Sequence, residues 1–436
     1  MSIPLSAADA DARFVGIDLG TSGCRAVAID RDAHVVGEAR AGLPRSRRSH
    51  DGGSEQDPND WWRAVAGVLA DVVDQVDGRV GAICVDATSS TLLLVDAGGR
   101  PCTPAMMYDD TRAKSEALAI AGTAPPDSAA RGASSALAKL LYLQRQYRGT
   151  DAAFALHQAD WISGRLRGRY GFSDENNCLK LGYDPVARHW PSWLHTTGAD
   201  ERLLPEPLPV GRPLGRISPD IAARFSIPLE TVIVAGTTDS NAAALASGVT
   251  RHGDAVSSLG STLVLKVVGE RPVAAAEFGV YSHRIGDLWL VGGASNTGGA
   301  VLRAFFTNVE IAELSQRIDP SRDSGLDYYP LPAVGERFPI ADPALQPRLK
   351  PRPNNDAHFL HGLLEGIARI EQAGYQRLAD LGAPYPTHVL TAGGGAVNDT
   401  WSTLRARLLG VPVERAPHGE AAFGSALLAL RADGSD

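Results

Sequence analysis

The sequence predicts an α/β protein of two lobes, and three observations lead there. Short apolar runs alternate with amphipathic helical stretches through both halves of the chain. A glycine-and-hydroxyl turn between β runs occurs in each half, as IDLGTSGCRAVAID from Ile17 and as SSLGSTLVLKVV from Ser257. The 436 residues exceed one ordinary core and suit two domains of about 200 residues each.

The apolar runs at 13–19, 24–30 and 34–39 are separated by Gly- or Asp-rich turns and suit three consecutive antiparallel strands. A polar segment from Pro44 to Gln56 follows. Asp57-Pro58 then opens a helix, with Asp as cap, Pro in the first turn, and Trp61, Val65, Val68, Leu69 and Val72 at helical spacing. A strand at 80–86 returns the chain to the sheet, and helices are expected over 134–147 and 155–166. The stretch 205–219 is dense in Pro and Gly and reads as a crossing between domains.

The second half restarts with a strand at 231–235, the turn GTTD and a helix over 240–247. Two strands over 255–269 enclose SLGST. Together with the opening hairpin they suggest an internal repeat. Strands follow within 281–292, and SNTGGAVLRAFF starts a helix. A long helix over 358–381 carries Leu360, Leu363, Leu364, Ile367 and Ile370 on its apolar side. The strand 388–390, TAGGGAVND, a helix over 400–409, a strand at 411–414 and a helix over 421–430 complete the chain.

Hydrophobic content of 44% with 21% charged residues is globular. A net charge of −8 argues against a nucleic-acid partner held through phosphates. No apolar run of about 18 residues is present, so no membrane partner is expected, and MSIPLSAADADA lacks the pattern of a signal peptide. Cys24, Cys84, Cys102 and Cys178 are scattered without metal spacing and read as reduced thiols. The expected location is cytoplasmic.

The turns at 20–23, 260–262 and 393–396 combine glycine with hydroxyls or with one another. Glycine lets backbone N–H groups crowd an anion, and hydroxyls add donors. A plain tight turn explains any one of them; three beside β runs point to a polyphosphate. The pattern GxxxxGK[ST] is absent, which excludes a P-loop. TAGGGAVND also has a dinucleotide-binding reading, opposed by its contiguous glycines. Asp239 ends GTTD and starts a helix, so it is either an N-cap or a general base that accepts a hydroxyl proton. Asp18 at a strand end suits a solvated acid or, beside a phosphate turn, a Mg²⁺ ligand. VDATSSTLLLVD and MMYDDTRA are polar clusters after apolar runs. In the second, Tyr108, Asp109, Asp110 and Arg112 suit either loop solvation or a polyol.

Taken together, IDLGTSGCRAVAID, SEQDPNDWW, GTTDSNAAALASG, SSLGST and TAGGGAVNDTWSTLRARLLGVPV resemble the motifs of the FGGY carbohydrate kinases in their family order, over nearly the whole chain. The resemblance implies a two-lobed ribonuclease-H-like, actin-type ATPase fold with an interlobe cleft. It implies a sugar-binding lobe over 1–236 and a nucleotide-binding lobe over 237–436, with ATP and Mg²⁺. Asp239 would be the catalytic base and would also contact substrate, and Asp18 would lie by the metal. Thr21, Ser22 and Arg25, with Gly260, Ser261 and Thr262, would meet phosphates. Gly299 and Arg303 would flank the nucleotide, and Gly394, Gly395 and Asn398 would line the adenosine pocket. Asp110 and Ser89 are the expected sugar contacts. Xylulokinases carry a Met-His pair where Ala87-Thr88-Ser89-Ser90 stands here. DATSST, MYDDTRA, GGASNTGGAVL and WSTLRARLLGVPV look closer to the D-ribulokinase branch, so D-ribulose is the expected substrate and D-xylulose the alternative. The expected partners are a small sugar and ATP, with a monomer or homodimer as the assembly. A non-catalytic sugar or nucleotide sensor and an actin-like ATPase are the rival readings of the same scaffold.

Overall fold

The computed structural model describes residues 11–433. They form two compact units, 11–246 together with 420–433, and 247–419. The expected division at 236/237 therefore differs in two respects. The helix carrying Asp239 belongs to the first unit, and so does the C-terminal helix.

In the first unit, β1 (Arg13–Leu19), β2 (Gly23–Ile29) and β3 (Val35–Gly42) form the expected antiparallel meander. Helix α1 (Pro58–Gln75) begins as predicted, with Asp57 accepting the Asn59 N–H, and it buries Trp61, Val65, Val68, Leu69 and Val72. At roughly 1.5–3 kcal/mol per fully buried side chain, those five contribute on the order of 10 kcal/mol before entropy is counted. β4 (Val80–Ala87) then lies parallel to β1. Helices α2 (Ala136–Gln146) and α3 (Gln158–Arg167) follow. Residues Phe154–His157 form a strand where a helix start was expected, because Leu92–Val95 offers an open edge for pairing. β5 (Val232–Val234) runs parallel to β4, and α4 (Asp239–Ala246) follows it.

The segment 205–219 is not a crossing between domains. Pro213–Arg216 is the edge strand of the main sheet, paired with β5, a position where a proline without an N–H is tolerated. The C-terminal helix, Ala421–Asp433, lies on β1 and α4. Backbone approaches so closely there that a Cβ on Gly16 would collide with Ala422 and Ala426, and one on Gly424 with Ala242.

In the second unit, β6 (Asp254–Leu259), β7 (Leu263–Gly269) and β8 (Leu288–Ser295) are again an antiparallel set. Helix α5 (Gly299–Arg303) follows, then the long helix α6 (Asp356–Asp380), which buries the predicted leucines and isoleucines. β9 (His388–Ala392) is parallel to β6, and β10 (Val413–Arg415), reached through α7 (Asp399–Leu409), is parallel to β9. The strand orders β3-β2-β1-β4-β5 and β8-β7-β6-β9-β10 match in sequence and direction. The faint repeat of the sequence is thus a repeated sheet topology, with the two glycine turns joining the same pair of strands in each unit.

Candidate functional site

Strand register builds a carboxylate cluster in the first unit. Asp18 near the end of β1 is paired across the hairpin with Arg25 and, on its other side, with Asp86 of β4. A bridge between Ala87 and Thr238 extends the parallel pairing and delivers Asp239 beside them. A Cβ on Gly236 would strike Val85, so the chain passes there only as glycine. Asp86 is completely buried, and its Oδ2 accepts a hydrogen bond from Ser425 Oγ at 2.5 Å.

Among the described residues Asp86 Oδ1 has no hydrogen-bond partner, and the parallel register places Asp18 beside Asp86. Neighbouring carboxylates disfavour each other's charged form. Burial and then the charge of Asp239 push Asp18 up to about 6. Burial and then Asp18 push Asp86 well above the usual carboxylate range.

Asp239 is half-buried, and its Oδ1 accepts the Ser240 N–H at 2.6 Å. Lys180 lies within electrostatic reach of it: burial holds the Lys180 ammonium below its usual range while the Asp239 charge opposes that shift. The half-buried Asp239 carboxylate therefore keeps access to solvent, and so to an incoming hydroxyl, as a general base requires. Buried amide and hydroxyl groups stand nearby. Asn176 Nδ2 donates to Thr237 Oγ1 at 3.0 Å, and Thr88 Oγ1 donates to Gln158 Oε1 at 2.8 Å. Sequence reasoning missed Asp86, Lys180, Asn176 and Gln158. A signal existed for Asp86 alone: β4 ends in an acid just as β1 does.

Of the expected sugar contacts, Ser89 is half-buried in the loop after β4. Asp110 corrects the expectation. It is wholly enclosed, with Oδ2 accepting from the Ser54 N–H at 2.8 Å and from Arg112 Nη2 at 2.7 Å, and it organises its loop from within. Asp109, bound to Arg48 at 2.6 Å, is half-buried in that loop, and Tyr108 is exposed.

On the β1–β2 turn, Thr21 is fixed through its carbonyl by Gln56 Nε2 at 2.8 Å, and Ser22 is exposed. Arg25 is ion-paired with Glu420, so an anion reaching it competes with that carboxylate. Among the described residues, ligand atoms of three acidic or His side chains converge within 4.8 Å at Asp30, Asp32 and His34, away from Asp18.

The second unit holds a cavity of about 580 Å³. Gly260, Ser261, Gly299, Arg303, Gly394, Gly395 and Asn398 all line it, brought together from three separate segments. Thr262 does not line it; its carbonyl closes the turn by accepting the Gly260 N–H at 3.1 Å. Arg303 Nη2 donates to Ser261 Oγ at 2.8 Å. A Cβ on Gly299 would lie 2.7 Å from the Gly260 carbonyl oxygen, so glycine is what lets α5 meet the turn. Asn398 is a wall rather than a free contact: it caps α7 through the Trp401 N–H at 3.0 Å and donates to Ser315 Oγ at 2.8 Å. Leu302, Ile311 and Val397 add apolar surface. Backbone and hydroxyl donors beside such surface suit a ligand with a polar and a flat apolar part.

Among the described residues no helix is long and apolar enough to cross a membrane. A xylulose kinase of Bacillus subtilis is 25% identical over 448 residues, covering 96% of this chain and 88% of that protein. A gluconokinase of the same organism is 22% identical, covering 90% and 82%. A crystal structure of a xyloylose kinase from Brucella ovis superposes with a TM-score of 0.87 at 26% identity, covering 97% of this chain and 91% of that one. The N-terminal domain model of the FGGY family of carbohydrate kinases matches residues 13–246, and its C-terminal domain model matches 255–432. The chain is a carbohydrate kinase and belongs to the FGGY family.

Proposed function

We propose that the protein transfers the γ-phosphate of ATP to a hydroxyl of a ketopentose, with Asp239 as general base. The observation that carries the assignment is the half-buried Asp239 carboxylate, set beside Asp18, Asp86 and the Lys180 ammonium. The sugar hydroxyl gives its proton to Asp239, its oxygen forms the bond to phosphorus, and the bond to ADP breaks. Thr21, Ser22, Arg25, Gly260, Ser261 and Thr262 contact phosphates. Gly299, Arg303, Gly394, Gly395 and Asn398 hold the nucleoside. Ser89 contacts the sugar.

Asp18 is the residue that would hold Mg²⁺. The donors there are all oxygens, and the Asp239 charge that, after burial, pushes Asp18 up is what a divalent cation offsets. The cation supplies neutralisation of charge on the phosphate oxygens.

D-xylulose is the favoured sugar, supported by the names of the Bacillus subtilis and Brucella ovis proteins. D-ribulose is the second reading, supported by the sequence Asp86-Ala-Thr-Ser-Ser-Thr91 at the end of β4. A coupled ADP-release assay over pentuloses, hexuloses and polyols with Mg²⁺-ATP tests both. Turnover highest with D-xylulose is expected; no turnover of any sugar overturns the proposal.

A further inference from the structure

Helix α2 carries a residue that its apolar neighbours do not explain. Lys139 sits between the buried Leu137, Leu140 and Leu143 and is itself 0% exposed. Its Nζ donates to the carbonyl oxygens of Ser90 at 2.8 Å and Met107 at 2.6 Å. These carbonyls belong to two different loops. One follows β4 and carries Ser89; the other carries Tyr108 and Asp109. The first is held in an unusual shape, with Ser90 at φ +63. The second is anchored independently, because the Met107 N–H donates to Ser54 and the enclosed Asp110 binds Arg112.

Keeping an amine here is costly. Burial brings Lys139 down to about 7, with Asp110 and Asp109 attracting its charge and Lys180 repelling it. A methionine would pack against the same leucines without that penalty. What methionine cannot do is satisfy two carbonyls from separate loops at one point.

We propose that Lys139 is a positioning residue for the sugar, pinning the loop that carries Ser89 to the loop that carries Tyr108 and Asp109 and so fixing the gap that a polyol spans. The assignment rests on the kinase reading above. Sub-ångström spacing of hydroxyl partners decides how well a sugar is held, so the effect falls on sugar binding and spares the nucleotide.

The test is Lys139→Met in the full chain, by steady-state kinetics and by deuterium uptake. The expected result is a sugar KM raised at least about tenfold, an ATP KM within about twofold of wild type, and faster uptake confined to 88–91 and 106–110. A sugar KM within about twofold of wild type overturns the assignment, as does an ATP KM that rises equally. Should Lys139→Met fail to fold, Lys139→Gln decides, since it keeps two N–H donors on a shorter stem. A selective rise in sugar KM supports the assignment, and an unchanged or unselective one overturns it. A wild-type protein that phosphorylates no sugar overturns the kinase reading and this assignment together. An active wild type with an unaffected variant overturns this assignment alone.

Discussion

Replacing Asp239 with Asn separates chemistry from binding and from folding. The amide oxygen of Asn can still accept the Ser240 N–H that Asp239 Oδ1 takes at 2.6 Å. The side chain keeps its size and half-buried position, so stability should move by less than about 1 kcal/mol. What is lost is proton affinity. A positioned base contributes typically 10²- to 10⁴-fold, which converts to about 3–5 kcal/mol of barrier, and kcat should fall by that factor. The cavity proposed for the nucleotide lies in the second unit and is not lined by Asp239, so the ATP KM should stay within about twofold. Two electrostatic consequences follow from the neighbours. Asp18 loses the second-largest influence that pushes it up, so its titration should move down from about 6. Lys180 loses the charge that opposes its burial and should titrate lower still. The assay is ADP release at saturating sugar, with ATP affinity measured by calorimetry and folding by circular dichroism. A folded variant with kcat within tenfold of wild type would refute the assignment of Asp239 as base.

Three further outcomes are expected. Arg405→Met strands Glu371 in the interior, where the two are bonded at 2.6 Å with both buried, and should cost about 3–5 kcal/mol in urea unfolding of the full chain; a loss under about 1 kcal/mol would count against the pair as a structural tie. Gly299→Ala places a Cβ 2.7 Å from the Gly260 carbonyl oxygen; it should raise the ATP KM about tenfold or more by displacing the turn, and an unchanged ATP KM would show that the turn does not face the nucleotide. Asp18 binds its proton up to about 6 in the folded chain against 3.8 ordinarily, so the folded state holds the extra proton and stability from this group is full below pH 3.8 and lost as pH rises through about 6. The interval corresponds to about 3 kcal/mol, discounted to about 1–2 for a partly solvated group. In metal-free buffer Asp18→Asn should therefore be more stable than wild type at pH 7.5 and equal to it at pH 3.5, and a variant less stable at pH 7.5 would contradict the upward displacement of Asp18 by burial and the Asp239 charge.

Local pattern was enough for most elements. Asp57-Pro58 set the start of α1 because a cap and a fixed φ act within one turn, and the leucines of α6 recur at a spacing only a helix brings to one face. The grouping of residues around the second unit's cavity was legible for a related reason. Its glycines and hydroxyls sit at strand ends, where topology alone gathers them. Polarity without burial misled at Asp110. A loop acid looks the same whether it faces water or is satisfied by an arginine two residues on, and Arg112 satisfied it. Four residues at Phe154–His157 fit a helix or a strand equally by period, and the free edge of Leu92–Val95 decided.

The return of the last helix to the first unit was the least legible feature, and it bears most on the chemistry. Contacts across so many residues leave no periodic trace; Gly16 and Gly424 are ordinary glycines until their backbones meet those of Ala422 and Ala242. Yet the same helix supplies the Ser425 hydroxyl that holds Asp86, and Asp86 in turn stands beside Asp18 in the pairing of β4 with β1. The acid at the mouth of the first hairpin thus depends on a residue near the far end of the chain. A fragment ending at Ala246 would keep β1, β4 and Asp239 but would leave a groove along Gly16 and a buried carboxyl without its hydroxyl donor, a loss of about 1–3 kcal/mol from that group alone. The first unit is complete only when the chain has passed through the second and come back.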